Sequence, residues 1–81
     1  MSGSPGTLLD LPAGTWCEIG SLAGDEETCA KLAELGFTPG EWVRVNAVLP
    51  LGGAVAVALR GAVFALRRSE AACVELRGGL A

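Results

Sequence analysis

Apolar and polar positions change period twice along this chain, and the two changes mark out its elements. From Trp16 to Leu22 they alternate, with Cys17 and Ile19 on one face and Trp16 and Glu18 on the other, as in a strand with one buried face. Ala23-Gly24-Asp25 breaks that alternation. Asp25 stands where an N-cap belongs, and Glu26 and Glu27 follow in the first turn, where the helix dipole favours negative charge. The spacing then becomes helical to about Leu35: Cys29, Leu32, Ala33 and Leu35 form an apolar stripe, with Lys31 and Glu34 toward water. Gly36 predicts a left-handed stop, Phe37 a fold-back onto Leu32, and Thr38-Pro39-Gly40 a tight turn.

From Glu41 the period returns to two. Val43, Val45, Ala47 and Leu49 share one face, and Trp42, Arg44 and Asn46 the other. After the turn Pro50-Leu51-Gly52-Gly53, the stretch Ala54 to Arg60 sends Val55, Val57 and Leu59 inward and three alanines outward. Ala62 to Arg68 sets Phe64 and Leu66 against Val63, Ala65 and Arg67. Ser69 to Ala72 reads as one helical turn capped by Ser69, and Cys73 to Arg77 as a closing strand with Val74 and Leu76 inward. The pattern predicts a mostly β chain of five short antiparallel strands. One α-helix lies between the first and second strands, and a one-turn helix precedes the last. Strands this short and this tightly joined form a small antiparallel barrel or a strongly bent sheet, which also hides edges that would otherwise aggregate. The expected domain spans residues 7–77, between a flexible tail at 1–6 and a frayed end at 78–81.

Composition narrows the function. The apolar fraction of 51% supplies a core for 81 residues. A net charge of -3, with only Arg67 and Arg68 adjacent among the basic residues, opposes nucleic-acid binding. The uncharged run Val45 to Leu59 is too short to cross a bilayer and is broken by Pro50, Gly52 and Gly53, so no membrane insertion is expected. Three cysteines without CxxC spacing, Cys17, Cys29 and Cys73, fit reduced thiols in a cytoplasm. With no His, no serine in a partner pattern and no phosphate-cradling loop, the chain is not expected to be an enzyme.

Two groups of residues carry candidate chemistry. Asp25 and Cys29 lie four apart on the helix, and Cys73 and Glu75 share the outward face of the last strand. Either pair offers a thiolate and a carboxylate to zinc or ferrous iron, with further ligands from solvent or from a second chain in a homodimer. The residues favour a plainer alternative, in which Cys29 packs as a small apolar side chain, the acids cap the helix and no cofactor is required. The second group is the third strand's outward face, where alanines replace the usual polar residues beside an apolar turn. Pro50, Leu51, Gly52, Gly53, Ala54 and Ala56 are therefore candidate partner-binding residues. The alternative is that Leu8, Leu9 and Leu11 cover this face.

Three segments carry a resemblance. Lys31-Leu32-Ala33-Glu34-Leu35-Gly36-Phe37-Thr38-Pro39-Gly40 resembles the helix-to-strand junction of the bacterial ferrous iron transport protein A family. Pro50-Leu51-Gly52-Gly53 resembles its turn, and Phe64-Ala65-Leu66-Arg67-Arg68-Ser69-Glu70-Ala71 its last strand and one-turn helix. The match runs in order from Leu8 to Leu76. Gly53 and Ala54 depart from it, standing where an acidic residue and a proline are usual. The resemblance implies an SH3-like barrel in the cytoplasm, peripheral to the membrane, that contacts and regulates a ferrous iron transporter bearing a cytosolic GTPase domain. It also implies kinship with the SH3-like domain of iron-dependent repressors, although this chain lacks their DNA-binding helices. A metal-bridged self-associating protein is the alternative reading.

Overall fold

The computed structural model describes residues 6–77; residues 1–5 and 78–81 lie outside the described residues. Strand β1 (Trp16–Leu22) buries Cys17 and Ile19 and exposes Trp16, as its alternation predicts. Helix α1 (Glu26–Leu35) is followed by β2 (Trp42–Val48), β3 (Ala54–Leu59), β4 (Ala62–Arg67), the short helix α2 (Arg68–Ala71) and β5 (Val74–Leu76). All pairings are antiparallel, in the order β4-β3-β2-β1-β5.

The bend that turns this sheet toward a barrel lies in β1. Its first half pairs with β2, Cys17 opposite Val43, and its second half with β5, Leu22 opposite Val74. The register slips between Ile19 and Ser21, around Gly20. A Cβ on Gly20 would stand 3.2 Å from the Arg77 backbone nitrogen, so the close crossing of β1 and β5 favours glycine there. Strands β4 and β5 do not pair with each other. Helix α2 packs on β3 and β4, and a 3-10 turn at Leu8–Asp10 packs on α2 and β5, so together they bridge the two edges. Leu8, Leu11 and Ala71 are buried in that bridge. The Gly6 carbonyl accepts the Leu76 N–H at 2.7 Å.

Helix α1 docks more narrowly than its sequence predicts. Asp25 caps it as expected: Oδ2 accepts the Thr28 N–H at 3.0 Å. Gly36 adopts φ 109°, with its N–H on the Ala33 carbonyl and the Phe37 N–H on the Leu32 carbonyl, both at 3.0 Å. This hydrogen-bond pair is a Schellman stop. Of the predicted stripe only Leu32 is buried; Cys29 is half-buried, and Ala33 and Leu35 are exposed. Phe37 supplies the missing anchor. It is fully buried, its ring edge-on to Phe64 at 5.4 Å between centroids. Each such burial contributes about 2 kcal/mol, so a ten-residue helix is held largely by its end. The helical turn after β4 also differs in detail. Ser69 lies inside α2; Arg67 holds the N-cap position predicted for Ser69, and the Glu70 carboxylate reaches back to accept its N–H at 2.8 Å.

Candidate functional site

Period two predicts Ala47 and Leu49 inward on β2, yet both are exposed. A bulge explains the difference. The register shifts between Val45 and Ala47, after which Ala47 pairs with outward Ala56 and Val48 with Val55. One extra residue moves every later side chain to the other face. The bulge thereby turns Leu49 outward; Val48, on the inward side opposite Val55, is exposed as well at this far end of the hairpin.

At its tip Gly52 N–H donates to the Leu49 carbonyl at 3.2 Å, and Leu49 N–H to the Ala54 carbonyl at 3.0 Å. Pro50 enters the turn, and Leu51 sits at φ 69°, ψ 9°, a left-handed conformation costing a residue with a Cβ about 1–2 kcal/mol. Nothing packs on it in return: its relative exposure is 104%. Ala54 and Ala56 are half-buried and Ala58 is buried, so the alanine row is less open than predicted. Leu8 and Leu11 contribute to the core, whereas Leu9 is exposed.

The metal candidates divide. Asp25 is occupied as the helix cap, and the Thr28 backbone and hydroxyl hydrogen bonds hold its carboxyl below the usual range. The Cys73 thiol donates to the Ser69 carbonyl at 3.4 Å, and its sulfur lies 2.6 Å from where a Gly24 Cβ would be. Burial pushes the Cys73 thiol up, and the neighbouring Cys29, Asp25 and Glu70 add to the shift. Asp25, Cys29 and Cys73 thus share one neighbourhood. Glu75 is engaged elsewhere, accepting the Ser21 hydroxyl at 2.9 Å across from β1. A thiol held protonated and a carboxylate already capping a helix make a poor donor set. Among the described residues no group of three or more His, Cys, Asp or Glu is placed to hold a metal ion.

Two features escape the sequence. A groove of about 530 Å³ lies along α1 and α2, lined by Glu27, Lys31, Glu34, Arg67 and Glu70 among others, with Lys31 Nζ 2.7 Å from Glu70 Oε2. On the outer sheet face Arg44 stacks over Trp16, 5.2 Å from the ring centroid. The alternation places both side chains outward, but only the register, Trp16 opposite Arg44, makes them a pair.

A strongly bent five-stranded sheet, bridged at its open edges and presenting a strained apolar hairpin tip, defines a small SH3-like β domain. A family model described as the FeoA domain matches residues 6–78, and the chain belongs to the FeoA family. The FeoA of Stenotrophomonas maltophilia in complex with zinc, described as a prokaryotic SH3 domain protein, is 37% identical over 88% of each chain, with a TM-score of 0.75. Iron(II) transport protein A of Clostridium thermocellum is 30% identical over 89% of this chain and 44% of that one, with a TM-score of 0.81. A manganese-dependent transcriptional repressor shares the fold at a TM-score of 0.81 and 18% identity, over 98% of this chain and 45% of that one. No curated protein matches the chain. The family is associated with ferrous iron transport. Among the described residues no helix is long and apolar enough to cross a membrane.

Proposed function

We propose that this chain is a cytosolic accessory protein of bacterial ferrous iron uptake. It docks on the membrane transporter and biases the transporter's GTP-hydrolysing domain through Pro50, Leu51, Gly52 and Gly53, with Ala54 and Ala56 beside them. The observation that carries this reading is Leu51, an apolar side chain with nothing on it in a backbone conformation that penalises it. Strain without internal compensation points to a contact outside the molecule. Docking regulates by binding one conformation of the transporter more tightly than another, since equal affinity for both would shift nothing. The test is capture of the transporter's purified cytosolic domain by the immobilised chain. Leu51→Asp should abolish capture without lowering the melting temperature. Retained capture, or an unfolded variant, would overturn the assignment.

A second reading is prompted by zinc in the Stenotrophomonas relative. In it two copies share one zinc or ferrous ion, each giving part of the ligand set. Sedimentation with zinc, ferrous iron or chelator decides it, because a mass insensitive to metal removes the bridge.

A further inference from the structure

Residues 42–69 contain four arginines and no carboxylate, although the chain as a whole is acidic; all nine Asp and Glu residues lie outside this stretch. It forms β2, β3 and β4. Arg60 is paired with Glu41, Arg67 lines the groove beside Glu70 and Arg68 opens α2, which leaves Arg44 on the outer sheet face with Trp42 and Val63, each more than half exposed, and with Trp16 of β1. The carboxylates bordering that face are already matched: Glu18 with Arg77 at 3.5 Å and Glu41 with Arg60 at 2.6 Å. Arg44 forms no ion pair among the described residues. Its Nε donates to Asn46 Oδ1 at 3.0 Å and its plane rests on Trp16, so one nitrogen is spent on holding the guanidinium in place. The two terminal nitrogens have no hydrogen-bond acceptor among the described residues. Side-chain freedom normally lost on binding is thus already restricted, and a guanidinium fork matches a carboxylate bidentately.

We infer that the outer face of β1–β4 is a carboxylate-reading docking surface, with Arg44 on Trp16 as its reader. Its occupant is an acidic segment of a protein partner that lays apolar side chains against Trp42 and Val63. The unmatched charge of Arg44 selects acidic over basic segments; the exposed aromatic and aliphatic side chains select a segment with apolar anchors over a bare anion. This deepens the docking reading, because it names the partner chemistry that the sheet beside the hairpin tip accepts.

Trp16 and Trp42 are the only tryptophans, so intrinsic fluorescence of the full chain reports on this face directly. One arm titrates the chain with a peptide alternating Glu and Leu and with its Gln-Leu counterpart. The Glu-Leu peptide should shift the emission saturably. Binding should weaken roughly tenfold or more with the Gln-Leu peptide or with Arg44→Gln, and it should also weaken from about 50 mM to about 500 mM salt. Arg44→Gln should melt close to the parent, because it gives up only a stack on half-exposed Trp16 and one surface hydrogen bond. Equal binding of both peptides, or an indifferent Arg44→Gln, overturns the inference. So does a response only to phosphatidylserine vesicles, which assigns the face to lipid, or a shift on raising chain concentration alone, which assigns it to a second copy. The other arm measures capture of the transporter's cytosolic domain by Arg44→Gln and by Leu51→Asp. Loss with Leu51→Asp alone leaves the docking reading standing and removes this one. Glu-Leu peptide binding without capture by the parent chain does the reverse.

Discussion

Replacing Leu51 with Asn should make this protein more stable and worse at its task. Leu51 holds a left-handed backbone at φ 69°, ψ 9°, where a Cβ crowds the following carbonyl at a cost of about 1–2 kcal/mol. Asn tolerates that region far better, since its short amide bonds locally to the backbone. No burial is sacrificed by the change, because the side chain is as exposed as in an isolated residue, at 104%. The expected gain is therefore the relieved part of the strain, about 0.5–1 kcal/mol. For a domain of this length that corresponds to roughly 2–8 °C in melting temperature. Paired thermal melts and capture of the transporter's cytosolic domain form the assay, with a rise in the first and a fall in the second expected. A lower melting temperature would refute the premise that Leu51 contributes nothing to the core. A higher one with capture intact would show that the strain is unrelated to docking.

Other perturbations probe the scaffold. Leu32→Ala should cost about 2–5 kcal/mol in chemical denaturation, because Leu32 is the one side chain of α1 that reaches the core; Leu35→Ala, at an exposed position of the same helix, should cost far less. Gly36→Ala should cost about 1–2 kcal/mol, since its φ of 109° is left-handed and the new methyl would stand 3.3 Å from Leu59 Cδ2. Glu70 is held below its ordinary value near 4.5, first by the Lys31 hydrogen bond and then by the Arg67 N–H. The unfolded chain then binds the proton more readily, so this contribution is complete above the usual carboxylate range and fades as pH falls through the lowered folded value. Glu70→Gln should flatten the acid side of a melting-temperature profile, and an unchanged slope would contradict the assignment.

The neighbour-to-neighbour chemistry of the chain fixes its elements. Asp25 caps, Gly36 stops, and the alternations of β1, β3 and β4 identify Ile19, Val57 and Leu66 as core, because each signal acts within a few residues. The same locality explains what stayed hidden. Nothing near Asn46 announces the bulge that turns Ala47 and Leu49 outward, since a bulge depends on how β2 sits against β3. Nothing in α1 says that Ala33 and Leu35 face solvent, because that depends on the helix burying only Leu32, with Phe37 after its stop as the second anchor. The candidate surface divides likewise. Pro50 to Gly53 is a turn by composition, but the left-handed Leu51 at its tip, the Arg44 stack on Trp16 and the gathering of Cys73 beside Asp25 and Cys29 belong to the tertiary structure. Residues far apart in sequence acquire a shared environment only when β1 bends to serve two neighbours, and that packing decides which side chains are spent on the fold and which are left for a partner.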